Sequence, residues 1–561
     1  MRRSFPLLPA ALGALFFLPF LGGVHLFDWD EVNFAEISRE MIVMDDYLRV
    51  HVNFLPFWEK PPLFFWMQAL AMHAFGVGEY AARLPNALCG VATLVVLYRV
   101  GEALYDARFG WLWGLTYFGS VLPHLYFKSG IIDPWFNLFI FLALYQFIRF
   151  HWRRDGLTDL PLRRGPWFYL ITAGLWLGLA VLTKGPVAYL IVCLCFFIYW
   201  IFQRFRLYVS VPQFIVFSLI TALLTLTWYG VETIKNGPWF VQEFVRYQYR
   251  LFSTPDAGHR GFFGYHFVVL FFGCFPASVF ALRAFVRMPV PNRSQQNFRL
   301  WMVILFWVVL VLFTIVKSKI VHYSSMAYFP LTYLAALTAY QISRRRIPFR
   351  GWMSTTLLAI VLLAGGIIIA MPFVGMRAEE LLTPLLAKDP FAAANLRAQV
   401  RWTGWEAVAG VVFIGVVAAG VRLLRRGRFE AGFGWLYGGT AVSVLLILIF
   451  FIGRVEQYSQ AAAVEFFEAH ADEDAYRITI GYKSYVPMFY GRTQPEEAPT
   501  YPEFESKSAW HQQLLHGEID KPLYISTKIN RQRELEGVGG LEKLGERNGF
   551  VFYRRAPNAL D

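Results

Sequence analysis

Arg299-Leu-Trp-Met-Val-Ile-Leu-Phe-Trp-Val-Val-Leu-Val-Leu-Phe-Thr-Ile-Val316 carries a single charge, at its first residue, and runs directly into Lys317-Ser-Lys-Ile-Val-His-Tyr323. A run of this length and composition is long enough to span a bilayer as a helix, which needs ~20 predominantly apolar residues. Similar runs fall near 6–27, 80–100, 109–127, 133–150, 166–183, 186–203, 210–230, 263–284, 322–342, 351–373, 404–423 and 432–453, so the chain reads as an all-α polytopic membrane protein with about 13 transmembrane helices. The division at Lys184-Gly185-Pro186 could also be one long kinked helix. Composition agrees. Of 561 residues 57% are hydrophobic and only 16% charged, against roughly 25% charged in soluble domains. Most soluble enzyme folds, disordered proteins and disulfide scaffolds are thereby excluded, and the runs lack the period-2 alternation of a membrane barrel.

The net charge of +13 would suit nucleic acid if it formed one patch. It does not. Arginines cluster in alternate loops, for example Arg344, Arg345, Arg346 and Arg350, or Arg422, Arg425, Arg426 and Arg428. The positive-inside rule places those loops in the cytoplasm, and the basic excess is explained by topology, with no nucleic acid required. Arg2 and Arg3 ahead of an apolar run resemble a signal peptide, but the run lacks an A-x-A cleavage site and reads as an uncleaved first span. Cys89, Cys193, Cys195 and Cys274 all lie in apolar stretches and read as buried hydrophobes.

The opposite, outer face then carries every long segment: 28–79, 231–262, 374–403 and the tail from 454. We expect residues 1–453 to form the membrane domain and 454–561 a small extracytoplasmic α/β domain. In the tail, helical stretches at Glu456–His470 and Glu503–Leu515 stand between strand-like ones at Tyr476–Tyr482, Pro522–Lys528 and Gly549–Arg554. Segment 28–79 is acidic. Its stretches Glu31–Met44 and Pro62–Phe75 suit helices lying in the membrane interface, as a cap over a cavity.

Three acids are candidates for chemistry. Asp30 and Glu31 follow the first apolar run, where acidic residues are ordinarily just solvated; Asp133 is the informative one, because a carboxylate between Ile131-Ile132 and Pro134 at a membrane boundary is costly without a role. Acids at the outer ends of the first and fourth spans could converge, one as general base and one to orient the acceptor. Trp58-Glu59-Lys60-Pro61-Pro62 offers an orienting or metal-binding carboxylate beside an ammonium. Lys184, Lys317, Lys319, His322 and Tyr323 gather on the same side, as do Arg246, Gln248, Arg250, His259 and Arg260 from the loop 231–262. Outer lysines close to a membrane run against the charge rule, and a bound anion such as a lipid phosphate accounts for them. No Walker loop, G-x-S-x-G or H-E-x-x-H occurs.

These motifs, Asp30-Glu31-Val32-Asn33-Phe34-Ala35-Glu36-Ile37-Ser38-Arg39-Glu40-Met41, Glu59-Lys60-Pro61-Pro62, Asp133-Pro134, Thr183-Lys184-Gly185 and Lys317 through Tyr323, resemble the bacterial protein-mannosyltransferase-like, polytopic (C-type) glycosyltransferases. The relatives most similar in motif are the aminoarabinose lipid A transferases, and the resemblance covers about the first 330 residues. It implies transfer of a sugar from a polyprenyl-phosphate carrier to a lipid or protein acceptor at the outer face of the bacterial cytoplasmic membrane, without a nucleotide cofactor. Residue by residue it implies Asp30 as catalytic base, with Asp133 and Glu31 as further catalytic acids. Lys60, Lys184, Lys319, Tyr323 and Arg250 would hold the carrier phosphate, with Glu59 and His259 as candidates for a divalent metal. Where the aminoarabinose enzymes have a metal-binding histidine, this chain has Gln248 ahead of His259. A transporter that binds a lipid-linked sugar without chemistry is the alternative from another class; such proteins usually carry internal repeats, and none is evident.

Overall fold

The computed structural model describes residues 7–157, 160, 162–254, 261–386, 388–499 and 507–557. Twelve of the thirteen apolar runs are helical over most of their length and the first over half of it, and the helices are unequal. Among the described residues seven are long and apolar enough to cross a membrane: Glu79–Leu104, Pro166–Lys184, Val211–Asn236, Arg293–Ile315, Gly351–Gly375, Ala407–Arg425 and Phe429–Ser459. The pair Tyr265–Gly273 and Ala277–Ala284, bent by 115° at Pro276, makes an eighth if it counts as one span.

The remaining runs depart from the simple expectation for local reasons. The first helix covers only Leu7–Phe17, not 6–27. Pro19 supplies no N–H and disfavours the helical region for Leu18, and Phe20, with φ 60°, turns the chain away. The run 109–127 splits into Ala107–Phe118 and Val121–Tyr126. Gly119 lies at the break, so close to the Tyr437 backbone that a Cβ would collide with it. Asp133–Asp155 and Tyr328–Ser343 are central and almost wholly buried, the first packed along Pro166–Lys184.

The expectation of interfacial helices in segment 28–79 is corrected in one respect. Helices Asp30–Val43 and Leu63–Phe75 are present, but residues 31 to 41 of the first are buried without interruption. This helix is inside the protein. Its charges are accommodated by pairing: Arg39 donates twice to Glu36, at 2.7 Å each, and Glu40 accepts from the backbone N–H groups of Asn53 and Phe54.

The tail forms a four-stranded sheet in the order Tyr476–Ile480, Leu523–Lys528, Phe550–Arg555, Leu541–Arg547. The first pair is parallel and the others antiparallel. Strand Leu541–Arg547 has no apolar alternation to announce it, yet the Asn548-Gly549 turn does: both residues have positive φ, as a tight hairpin requires. The expected helix at Glu503–Leu515 is Lys507–His516, with 503–506 outside the described residues. The helix Gly439–Ser459 runs through the boundary expected at 453.

Helices Glu79–Leu104 and Ala107–Phe118 approach backbone to backbone through Gly101 and Gly110, where a Cβ on Gly110 would stand 2.5 Å from the Tyr98 carbonyl oxygen. Small residues permit such contacts between membrane helices. Gly110→Val should therefore lower the thermal midpoint of the detergent-solubilised protein, at a cost of about 1–3 kcal/mol for overpacking. An unchanged midpoint would show that the helices can separate freely.

Candidate active site

A cavity of about 1150 Å³ opens where segment 28–79, one end of several helices and the tail meet. Asp30 enters it from the first turn of helix Asp30–Val43, where the helix dipole favours a carboxylate. Asp133 does so from the first turn of Asp133–Asp155, started by Pro134. Lys184 ends helix Pro166–Lys184, and Gly185 follows with φ 100°, its missing side chain leaving room for the Phe244 ring. His322 and Tyr323 come from the 3₁₀ turn Val321–Ala327, while Tyr247, Gln248 and Arg250 come from helix Trp239–Ser253. Glu59 and Lys60 also line the cavity.

Charge inside the cavity is organised in pairs. Lys184 Nζ lies 2.6 Å from Asp133 Oδ1, both side chains being largely buried, and over the Tyr323 ring at 5.4 Å. Asp133 is thus held by an ammonium and does not stand alone. Lys60 donates to the Tyr247 hydroxyl at 3.3 Å and sits 4.8 Å from the centre of its ring. Asp30 differs: its side chain keeps 45% of its surface exposed, and the His322 imidazole stands beside it, with Nε2 3.6 Å from Oδ2. Apolar wall is supplied by Val187, Leu190, Leu312, Phe313, Val316, Ile320 and Met326.

Two expected site residues belong elsewhere. Glu31 touches the cavity wall, but its oxygens are committed to Arg83 (2.9 and 3.1 Å) and to the backbone N–H groups of Phe27 and Gly130. Burial opposes its ionisation, and the guanidinium with the two backbone donors outweighs burial and pulls the carboxyl below its ordinary range. Lys319 turns away from the cavity and caps the helix Arg293–Ile315, donating to the carbonyls of Phe313, Thr314 and Val316 at 3.0, 2.6 and 2.6 Å. An ammonium at a helix C-terminus satisfies orphan carbonyls, so phosphate binding is not its place. His259 lies outside the described residues. Among the described residues no three His, Cys, Asp or Glu side chains stand together as a metal site; Glu59 by itself does not fit one.

The tail contributes what the sequence reading missed. Lys483 and Tyr485 line the same cavity. The Lys483 carbonyl accepts from Trp29 Nε1 at 2.7 Å, its ammonium stands over the Trp29 and Tyr485 rings, and the Tyr485 N–H donates to Asp28 at 3.2 Å. Burial and the carboxylates of Glu59, Asp28 and Asp30 push the Tyr485 phenol well up, so it stays an O–H donor. No local signal joins positions so far apart in sequence.

The family model described as dolichyl-phosphate-mannose-protein mannosyltransferase matches residues 59–229. An undecaprenyl phosphate-α-4-amino-4-deoxy-L-arabinose arabinosyl transferase of Photorhabdus laumondii is 27% identical over 337 residues, 58% of each chain. That of Aeromonas salmonicida is 27% identical over 332 residues, again 58% of each. The aligned part thus spans less than two thirds of those relatives. Crystal structures of ArnT from Cupriavidus metallidurans superpose over nearly the whole chain at 18% identity. TM-scores are 0.73 for the undecaprenyl phosphate complex, covering 100% of both chains, and 0.75 for the apo state, covering 98% and 99%. This chain shares their fold. The resemblance read from the motifs is borne out, and likeness of fold extends through the tail, where motif resemblance had stopped.

Glu31→Ala should destabilise the protein by about 3–5 kcal/mol, because it strands the Arg83 charge in the interior. Glu31 has a lowered folded pKa, so its contribution is present above the ordinary glutamate value of about 4.3 and fades as pH falls through the lowered one. Thermal midpoints across acid pH check this: they should fall on acidification in wild type and less so in Glu31→Ala. Lys319→Met should cost roughly 1–3 kcal/mol for unsatisfied carbonyls, read as a lower thermal midpoint of the detergent-solubilised protein.

Proposed function

We propose that the protein is a membrane glycosyltransferase that moves a sugar from a polyprenyl-phosphate carrier to a lipid A-type or other envelope acceptor. The observation that carries this reading is the single cavity in which Asp30, with an exposed carboxylate, faces Lys60, Lys184, Arg250 and Tyr323 beside a wall of aliphatic side chains. A prenyl chain suits the wall and a phosphate suits the cations. The activity named for the similar arabinosyl transferases and the undecaprenyl phosphate in the ArnT complex agree with it.

The chemistry follows from the charges. Asp30 accepts the proton of the acceptor hydroxyl as its oxygen attacks the anomeric carbon. The bond from that carbon to the phosphate oxygen breaks, its electron pair leaves with the phosphate, and attack from the opposite side inverts the centre. Lysines already in place around the phosphate stabilise the developing charge without reorganisation. Lys184, neutralised in part by Asp133, is held in position by that pair. Glu59 and Tyr485 are placed to orient sugar hydroxyls.

In this reading the thirteen apolar helices, short and bent ones included, are membrane segments of the domain 1–453. The arginine-rich loops face the cytoplasm. The cavity and the domain 454–561 face the outer side of the bacterial cytoplasmic membrane. Protein hydroxyls are the second acceptor class, favoured by the description of the matching family model.

Asp30→Asn should lower transfer by about 10²–10⁴-fold, the usual worth of a general base, with undecaprenyl phosphate binding retained. Mass spectrometry of envelope lipids and glycoproteins from cells with wild-type protein, the variant or neither would show one sugar mass missing in the latter two. Normal transfer by Asp30→Asn would overturn the assignment of Asp30 as the base.

A further inference from the structure

We infer that His322 is a proton relay that returns the acceptor's proton from Asp30 to the departing phosphate. The inference rests on the transferase reading above and concerns a step that reading leaves open, namely where the proton goes. After attack, Asp30 is protonated and the leaving carrier is a phosphate dianion. A base that keeps its proton is spent, and a dianion held by several cations is slow to leave.

The geometry links the two. His322 Nε2 lies 3.6 Å from Asp30 Oδ2, and the imidazole is mostly buried in the cavity wall, 16% exposed. The charges acting on it come from every side: Asp30 from helix Asp30–Val43, Asp133 from helix Asp133–Asp155, Lys184 from the end of helix Pro166–Lys184, and Lys60 from the loop before Pro61. His266, from helix Tyr265–Gly273, feels both His322 and Lys319, and Tyr323 adjoins on its own turn at 5.4 Å between ring centres. The ring thus stands beside the base and among the lysines that would hold the phosphate. An imidazole can accept a proton on one ring nitrogen while releasing one from the other, so a ring in this position can carry a proton from a carboxyl group to a phosphate.

The step balances. The acceptor O–H proton moves to Asp30 as the new carbon–oxygen bond forms and the carbon–phosphate oxygen bond breaks. Asp30 passes that proton to Nε2 of a neutral ring protonated on Nδ1, and the imidazolium releases its Nδ1 proton to the phosphate. Carrier phosphate leaves as the monoanion, Asp30 is again a carboxylate, and the ring has exchanged tautomers, reset through water.

Binding of undecaprenyl phosphate tests this without knowledge of the sugar. Titrating full-length protein in detergent with undecaprenyl phosphate, in buffers of different ionisation enthalpy near neutral pH, counts protons taken up on binding. A phosphate beside His322 favours the imidazolium, so wild type should take up roughly half a proton more than His322→Gln. Equal counts in the two would overturn the relay. Should His322→Gln fail to fold, Asp30→Asn serves instead: it keeps His322 but removes the carboxylate that favours its charged form, so uptake should move to lower pH, and an unmoved profile would be equally fatal. If wild type does not bind undecaprenyl phosphate at all, the transferase reading itself fails and the relay with it. If it binds, Asp30→Asn loses transfer and the proton counts are equal, only the relay fails.

Discussion

Arg83 holds the site together from behind. Its guanidinium is buried and donates to the carbonyls of Leu21, Val24 and His25 as well as to both oxygens of Glu31. Glu31 in turn accepts from the N–H groups of Phe27 and Gly130. One ion pair thereby joins the exit from the first helix, the start of the helix that carries Asp30, and the loop that leads into Asp133. A charge buried this deeply survives only when every donor and acceptor is met, and here meeting them requires the three segments to converge. Asp30 and Asp133 share a cavity as a consequence.

The tail adds a second constraint. Arg39 reaches from the buried helix to the Thr493 carbonyl, Tyr490 accepts the Leu26 N–H, and Gln460 accepts from Asp28 and donates to Leu26. Three of these contacts lie within four residues of Asp30. Lys483 and Tyr485 reach the cavity because Trp29 and Asp28 bond the Lys483 carbonyl and the Tyr485 N–H, and helix Val486–Phe489 packs against helix Asp30–Val43. The tail is therefore part of the cavity wall, and it supplies a cation and a phenol to that space.

Much of this architecture is legible in the chain because membranes impose long apolar runs, and each of the thirteen carries a helix in the structure. Run length was less informative. Pro19 shortens the first helix, Gly119 breaks the third run against Tyr437, and Pro276 bends another through 115°. Strand Leu541–Arg547 escaped because its exposed face is charged, although Asn548-Gly549 marked the hairpin. Among the candidate site residues, Asp30, Glu59, Lys60, Asp133, Lys184, Tyr323 and Arg250 line one cavity. Glu31 and Lys319 were chosen for their residue type and neighbourhood, and residue type does not say which way a charge points.

Sequence alone determined that this chain is a helical membrane protein, which of its loops carry the arginines, and which scarce acids and lysines stand at the other helix ends. It could do so because the cost of burying charge in lipid restricts where charge can be placed. Only the tertiary structure decided which of those charges are spent on holding the fold, as Glu31 and Lys319 are, and which face the cavity, as Asp30, Lys60 and His322 do. That choice depends on which hydrogen-bond partners the fold turns toward each charge, Arg83 and Gly130 for Glu31 and the carbonyls ending a helix for Lys319, and residue type alone does not encode it.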